Sequence, residues 1–300
     1  MSFSANVKSE LCRPEVEKGC CALAEALGVL LYANTFNAEA IRIVTESREF
    51  AQRLPRLFQK GLGVRFDALP EKDTTGKLSF VMTDSEKIRH VFELCGFSAQ
   101  TSVSVNVNFA LLEKECCRRA FLRGAFLAGG SVTDPEKRYH LELSTTHAKV
   151  SRGTQTLLLE IGMETKQTER KGSSILYYKQ SEAIEDFLAL IGAGVSAMAV
   201  MSAKIEKDWR NGANRKTNCD SANVDKSVAA AGEQLAVLQK LEQAGVLETL
   251  AEKLIETARL RRENPEATLS ELAELHEPPL SKSAVNHRLR KLAALAAQLP

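Results

Sequence analysis

Seven residues in one short stretch, Lys282, Ser283, Asn286, His287, Arg288, Arg290 and Lys291, carry side chains suited to chemistry at a nucleic acid. Hydroxyl, amide, imidazole and guanidinium groups bond to base edges, while lysine and arginine neutralise phosphates. The helical period sorts them. Val285, Leu289, Leu292 and Ala296 form an apolar stripe that must face a core. Ser283, His287 and Arg290 fall opposite that stripe, with Asn286 and Lys291 flanking, as a major-groove helix requires. Arg288 and Lys291 are better placed for phosphates. After Glu277 the chain contains no acid, so this is a local basic stripe, although the net charge of the 300 residues is only +2 and is not concentrated in either half. The competing reading is a basic helix that is merely solvated, with His287 an ordinary surface histidine. No catalytic role is assigned to His287.

Such a helix needs elements to hold it. Thr268 and Glu271 stand at capping-box spacing and open a short helix, LSELAELH; Pro278-Pro279 break it, and Ser281 starts a second, KSAVNHRLRKLAALA. Upstream, Leu247, Leu250, Ala251, Leu254, Ile255 and Ala258 predict one helix with a core-facing stripe, and Leu235, Leu238 and Leu241 predict a partner helix ended by Gly245. Two helices, a tight turn and a small core describe a helix-turn-helix. Before it, over 203–227, periodic apolar content fades, which predicts an interdomain connector. Arg210, Asn211, Asn214, Arg215, Asn218 and Asn223 lie there. Two readings stand level for them: bonding at helix ends and hinge turns, or contacts to phosphate.

The first two-thirds of the chain repeats itself. Cys20-Cys21 and Cys116-Cys117 stand 96 positions apart, and the same offset lays Ala24 on Ala120, Gly28 on Gly124, and SEKIRHVFELCGF on SEAIEDFLALIGA. Each copy opens with a helix that is apolar nearly all round, about 16–31 and 115–128, and such helices are buried. Ala24 and Gly28, and Ala120, Gly124 and Ala128, recur every four residues, so the two helices are expected to meet backbone against backbone about a pseudo-twofold axis. Strands are predicted at AIRIVT and YHLELST, then helices at RLPRLFQKGLGV and TQTLLLEIGMET. Further strands follow at VRFDAL with KLSFVMT and at KQTER with SILYYK, before each closing helix.

Seven cysteines, with no C-x-x-C pair and no histidine at finger spacing, predict reduced thiols. Adjacent cysteines in a helix point about 100° apart, so the two pairs are read as small core and groove residues, with a metal shared across the repeat as the minor reading. Catalytic signatures are missing: there is no phosphate-cradling glycine loop, no His pair with a glutamate between, and no nucleophile elbow. Asp134-Pro135 reads as a turn. No stretch approaches the roughly 18 apolar residues of a membrane span, and no apolar signal core opens the chain, which together predict a cytoplasmic protein.

Three segments in order, FLRGAFLAGGSVTDPEKRYHLE, KIEKDWRNGANRKTNCDSAN and LSKSAVNHRLRKL, closely resemble the WhiA family of bacterial cell-division and sporulation regulators. The resemblance spans essentially the whole chain and is weakest before Cys20. It implies an α+β fold: a degenerate two-repeat LAGLIDADG homing-endonuclease-like domain over 1–202, then a linker over 203–227 and an all-α helix-turn-helix domain over 228–300. The repeats, at about 10–98 and 106–195, would join by their motif helices over a saddle of antiparallel sheet. Laid on the nuclease motif, Gly129 stands where a metal-binding aspartate belongs, and the equivalent position in the first copy is Ala33. Neither half supplies the carboxylate that would hold Mg²⁺ and activate water. The resemblance therefore implies an inherited fold without nuclease activity, metal or cofactor.

Basic candidates on the saddle are Arg42, Arg65, Lys166, Arg170 and Lys171, interspersed with Glu46, Asp67, Glu142, Glu164 and Glu169, which repel phosphate. The expected function is a non-catalytic DNA-binding transcriptional regulator of cell division, chromosome segregation or sporulation, nucleoid-associated and away from the membrane. Its partners would be double-stranded DNA and another transcription or division protein. Two competing expectations are a homing-type endonuclease with relocated acids such as Asp134 and Glu136, and a nucleoid-associated interaction protein acting without transcription.

Overall fold

Glycine at two positions related by the repeat lets the first two-thirds of the chain be built around one close helix crossing. In the computed structural model, which describes residues 2–16, 18–71, 76–97 and 105–299, helices α2 (Gly19–Leu31) and α5 (Glu115–Gly129) pack along the expected seam. A methyl group added at Gly28 would lie 2.1 Å from the carbonyl oxygen of Phe121, and one added at Gly124 would lie 2.0 Å from that of Glu25. The two contacts are equivalent under the 96-residue offset, so the axis of the repeat passes between them.

Contacts divide the chain into two units, Met1–Asp208 and Trp209–Pro300. In the first, α1 (Phe3–Cys12) buries Val7 and Leu11. The first copy continues through β1 (Thr35–Phe36), β2 (Ile41–Thr45), α3 (Arg48–Leu62), β3 (Leu78–Met82) and α4 (Ser85–Leu94). The second copy matches it with β4 (Gly130–Val132), β5 (Leu141–Thr145), α6 (Ala148–Glu160), β6 (Lys166–Arg170), β7 (Ser173–Tyr178) and α7 (Ser181–Ile191). Two antiparallel sheets result, in the orders β1-β2-β3 and β4-β5-β7-β6. Alternation along β2 and β5 sends Ile41, Ile43, Leu141 and Leu143 into the core and turns Arg42 and Glu142 away from it.

The copies differ in one strand. VRFDAL, expected as a strand, contributes only a bridge between Ala68 and Val81. Pro70 removes a ladder donor just beyond it, and Asp67 spends its carboxylate on the amides of Thr83 and Asp84 and on Lys87. In the second copy, Lys171 and Gly172 both take positive φ, 50° and 77°, and close β6 onto β7 as a tight hairpin.

A single helix, α8 (Gly194–Gln243), runs through the boundary between the units. Its first amides are capped from α1: Glu10 accepts from the backbone of Val195 and Ser196 at 2.7 and 3.0 Å. The second unit then adds α9 (Glu252–Glu263), α10 (Leu269–Glu274) and α11 (Lys282–Ala296) around Leu238, Leu241, Leu254, Leu272, Val285, Leu289 and Leu292. The single helix expected over 247–258 is a short 3-10 turn, Leu247–Thr249, followed by α9. Leu250 is extended between them and Ala251 is exposed. No helix among the described residues is long and apolar enough to cross a membrane.

Candidate nucleic-acid interface

The grammar that sets α11 in place is local. Thr268 accepts from the Glu271 amide and Glu271 reaches back to the Thr268 amide, completing the capping box of α10. Leu280 N–H donates to Ala273 O at 2.9 Å across the turn, and Ser281 caps α11 by accepting from Ala284. The stripe Val285, Leu289, Leu292 and Ala296 is buried, as its period demands. That leaves Lys282, Ser283, His287, Arg290 and Lys291 exposed, and none of the five forms an ion pair with another described residue. Ser283, His287 and Arg290 share an arc of about 60°. The structure thus brings these three together on a solvent-facing ridge one helix wide.

Two of the seven residues are placed differently. Arg288 is half-buried and turned onto α9: Nη1 donates to Lys253 O and Thr257 Oγ1, both at 3.2 Å, with Glu256 at 3.7 Å. It fixes α11 on α9 instead of standing free for phosphate. Asn286 is also half-buried and, with Leu238, Leu289 and Arg290, lines a groove of about 160 Å³ between α8 and α11. Sequence reading also missed the partners of Arg288. Buried His276 approaches Thr257 Oγ1 with Nε2 at 3.0 Å and donates from Nδ1 to Leu272 O at 2.8 Å, tying α9 to α10. Arg261, equally buried, donates to Ala267 O at 2.6 Å and holds the loop before α10; burial pulls its guanidinium below the usual range.

Arg210, Asn211, Asn214, Arg215 and Asn218 are all exposed and all lie inside α8, where none can cap an end or make a turn. At 100° per residue they occupy one arc of about 140°. Asn223 falls outside it. The hinge-turn reading of these asparagines does not fit a continuous helix.

The basic candidates of the first unit fare unevenly. Register places Lys166 and Arg170 on the same sheet face as Glu142 and Tyr177, with Glu169 on the opposite face. Arg170 pairs with Glu142 at 3.1 Å, and His140 approaches the same carboxylate at 3.2 Å. Arg65 bonds to Gln59 and Arg42 is exposed on β2. At the C-terminal ends of the motif helices, Ala33 is buried, and a Cβ at Gly129 would lie 2.4 Å from Ser144 O. Asp134 accepts from the Glu136 amide at 3.0 Å in the turn expected for it. Among the described residues, Asp134 and Glu136 belong to no group of three or more His, Cys, Asp or Glu side chains close enough to share an ion.

Two inward-packed motif helices over paired antiparallel sheets, with a capped helix-turn-helix beyond them, define a LAGLIDADG-like domain joined to a DNA-binding module. The family model for the WhiA LAGLIDADG-like domain matches residues 118–210, and that for the WhiA C-terminal HTH domain matches 213–296. The probable cell division protein WhiA of Ruminiclostridium cellulolyticum is 39% identical over 100% of this chain and 98% of its own length. That of Heliobacterium modesticaldum is 37% identical over 99% of this chain and 96% of its own. This chain belongs to the WhiA family. The crystal structure of full-length DUF199/WhiA from Thermatoga maritima superposes with a TM-score of 0.61 at 22% identity, covering 100% of this chain and 99% of that one, so the fold is shared.

Proposed function

We propose that this protein is a non-catalytic, sequence-reading DNA-binding regulator acting in cell division, through transcription of division, chromosome-segregation or sporulation genes. The observation that carries the reading is the exposed ridge of Ser283, His287 and Arg290 on α11, braced from behind by Arg288. Ser283 and His287 present hydrogen-bonding groups that suit base edges, and Arg290 suits guanine O6 and N7. Lys282 and Lys291 supply phosphate contacts. The solvated helix over 203–227 serves as the connector, and its face of Arg210, Asn211, Asn214, Arg215 and Asn218 adds backbone contacts. The relatives' name, probable cell division protein, supplies the cellular setting; the protein works in the cytoplasm on the nucleoid.

The first unit contributes position and not cleavage, since Ala33 and Gly129 offer no carboxylate. A second role, holding another transcription or division protein, is favoured by Val195, Met198, Met201 and Ile205, which share one exposed face of α8. Selection of bound sequences from a random duplex library, with Mg²⁺ and Mn²⁺ cleavage assays on supercoiled plasmid, tests the reading. A defined motif with intact plasmid is expected. Nicking abolished by Asp134→Asn would establish the endonuclease instead, and an absence of sequence preference would leave a nucleoid-associated interaction protein.

A further inference from the structure

The fold gives the two cysteine pairs a relation that spacing alone does not. Because α2 starts at Gly19 and α5 at Glu115, Cys20-Cys21 and Cys116-Cys117 occupy the second and third positions of their helices. The axis that crosses the helices at Gly28 and Gly124 also brings these first turns together. All four Sγ atoms lie within 4.8 Å of one another. Cys117 is buried, Cys21 and Cys116 are half-buried, and Cys20 is exposed. Core filling accounts for Cys117 but not for an exposed thiol directed at three others.

Neutral thiols gain little from such crowding, since S–H is a weak donor and sulfur a weak acceptor. Four thiolates around a borderline-soft divalent ion gain much more. A tetrahedral ion with bonds of about 2.3 Å holds its sulfurs about 3.8 Å apart, within about an ångström of the widest separation here. An iron–sulfur cluster, which inserts several irons and sulfides between the ligands, needs more room. Two helix N-termini converge at the cluster, with Lys18 and Lys114 at equivalent N-cap positions beside it.

We infer that Cys20, Cys21, Cys116 and Cys117 form a tetrathiolate site for one zinc ion, which fastens the two repeats at the N-terminal ends of their motif helices. Loading forms four Zn–S bonds and releases four thiol protons; no electron moves. Four protein ligands close the coordination shell, so the ion is structural. It sits about 20 Å along the helices from Ala33 and Gly129, and is therefore separate from the lost nuclease centre.

The test uses the full chain, purified without an affinity tag, incubated with Zn²⁺, desalted and assayed for metal, with Co²⁺ in a parallel sample. The expected result is one zinc per chain, four thiols shielded from a thiol reagent, and the strong sulfur-to-cobalt absorption of a tetrahedral thiolate site. Cys20→Ser and Cys117→Ser should each lose the ion, whereas Cys219→Ser, at an exposed site elsewhere, should keep it. Folded wild-type protein that retains no zinc and leaves all four thiols reactive would overturn the inference. So would a disulfide within the cluster, or iron with acid-labile sulfide. If the serine variants do not fold, the wild-type cobalt spectrum and the count of shielded thiols decide alone.

Discussion

Helices α5 and α11 are each 15 residues long and each carries arginines, yet packing uses them in opposite ways. In α5 the burial of Ala120, Phe121, Leu122, Gly124, Ala125, Phe126 and Leu127 takes almost the whole circumference, and Arg123 is drawn inward to Ile191 O and the buried Glu25. In α11 packing takes four residues on one stripe, and Ser283, His287 and Arg290 remain in solvent. A helix buried nearly all round can position other elements but has no free face left for a duplex. One held by a single stripe can be both anchored and available. Of the two, only α11 keeps a free polar face.

If that contrast is right, changes in the motif helices should remove stability and changes on the α11 ridge should remove binding. The largest effect is expected at Glu25, 1% exposed, whose carboxylate accepts from Arg53 at 2.6 and 3.0 Å. Glu25→Ala strands Arg53 and should cost about 3–5 kcal/mol in denaturant unfolding. Gly124→Val drives a side chain into the Glu25 carbonyl and should cost about 3 kcal/mol or more, whereas Ala293→Val, on exposed α11 surface, should change stability by no more than about 0.5 kcal/mol.

Arg290→Ala reverses the pattern. Unfolding should be unchanged while affinity for the preferred duplex falls by about 1–3 kcal/mol and discrimination relaxes at one base pair. Lys291→Ala should weaken all sequences alike and lower the salt slope by about 1. Equal losses of stability in the two helices would erase the distinction.

A pH-dependent effect is expected at Lys8, whose amine burial pushes down to about 8 from 10.5. Between those values the unfolded chain holds a proton that the folded one has lost, so stability rises with pH across that window. Below about 8 the buried charge opposes folding in full. Lys8→Met should therefore be more stable than the parent at pH 7, with the gap closing as pH rises from about 8 to 10.5.

Sequence reading succeeded where the determinant is local or periodic. The stripe of α11, the Thr268 capping box, the stop at Gly245 and the small-residue seam of Gly28 and Gly124 all follow from spacing within one or two turns, and all are present. It failed where a distant partner decides. VRFDAL alternates like a strand, but Asp67 is committed to residues 83, 84 and 87. The apolar period over 247–258 survives a break at Leu250, because a 3-10 turn and a helix can line the same core. Arg288 looked free because Lys253 and Thr257, its anchors, lie more than 30 positions away. Asparagines at 211, 214 and 218 suggest turns by composition, yet nothing in their spacing opposes a helix, and α8 runs through them.

The central claim, that α11 reads DNA while the paired repeats only carry it, is tested most directly by genome-wide occupancy mapping of the intact protein beside an Arg290→Ala, Lys291→Ala variant. The account predicts sharp peaks sharing one sequence motif that disappear in a variant of unchanged abundance and thermal stability. Peaks of the same position, height and motif in both proteins would contradict it.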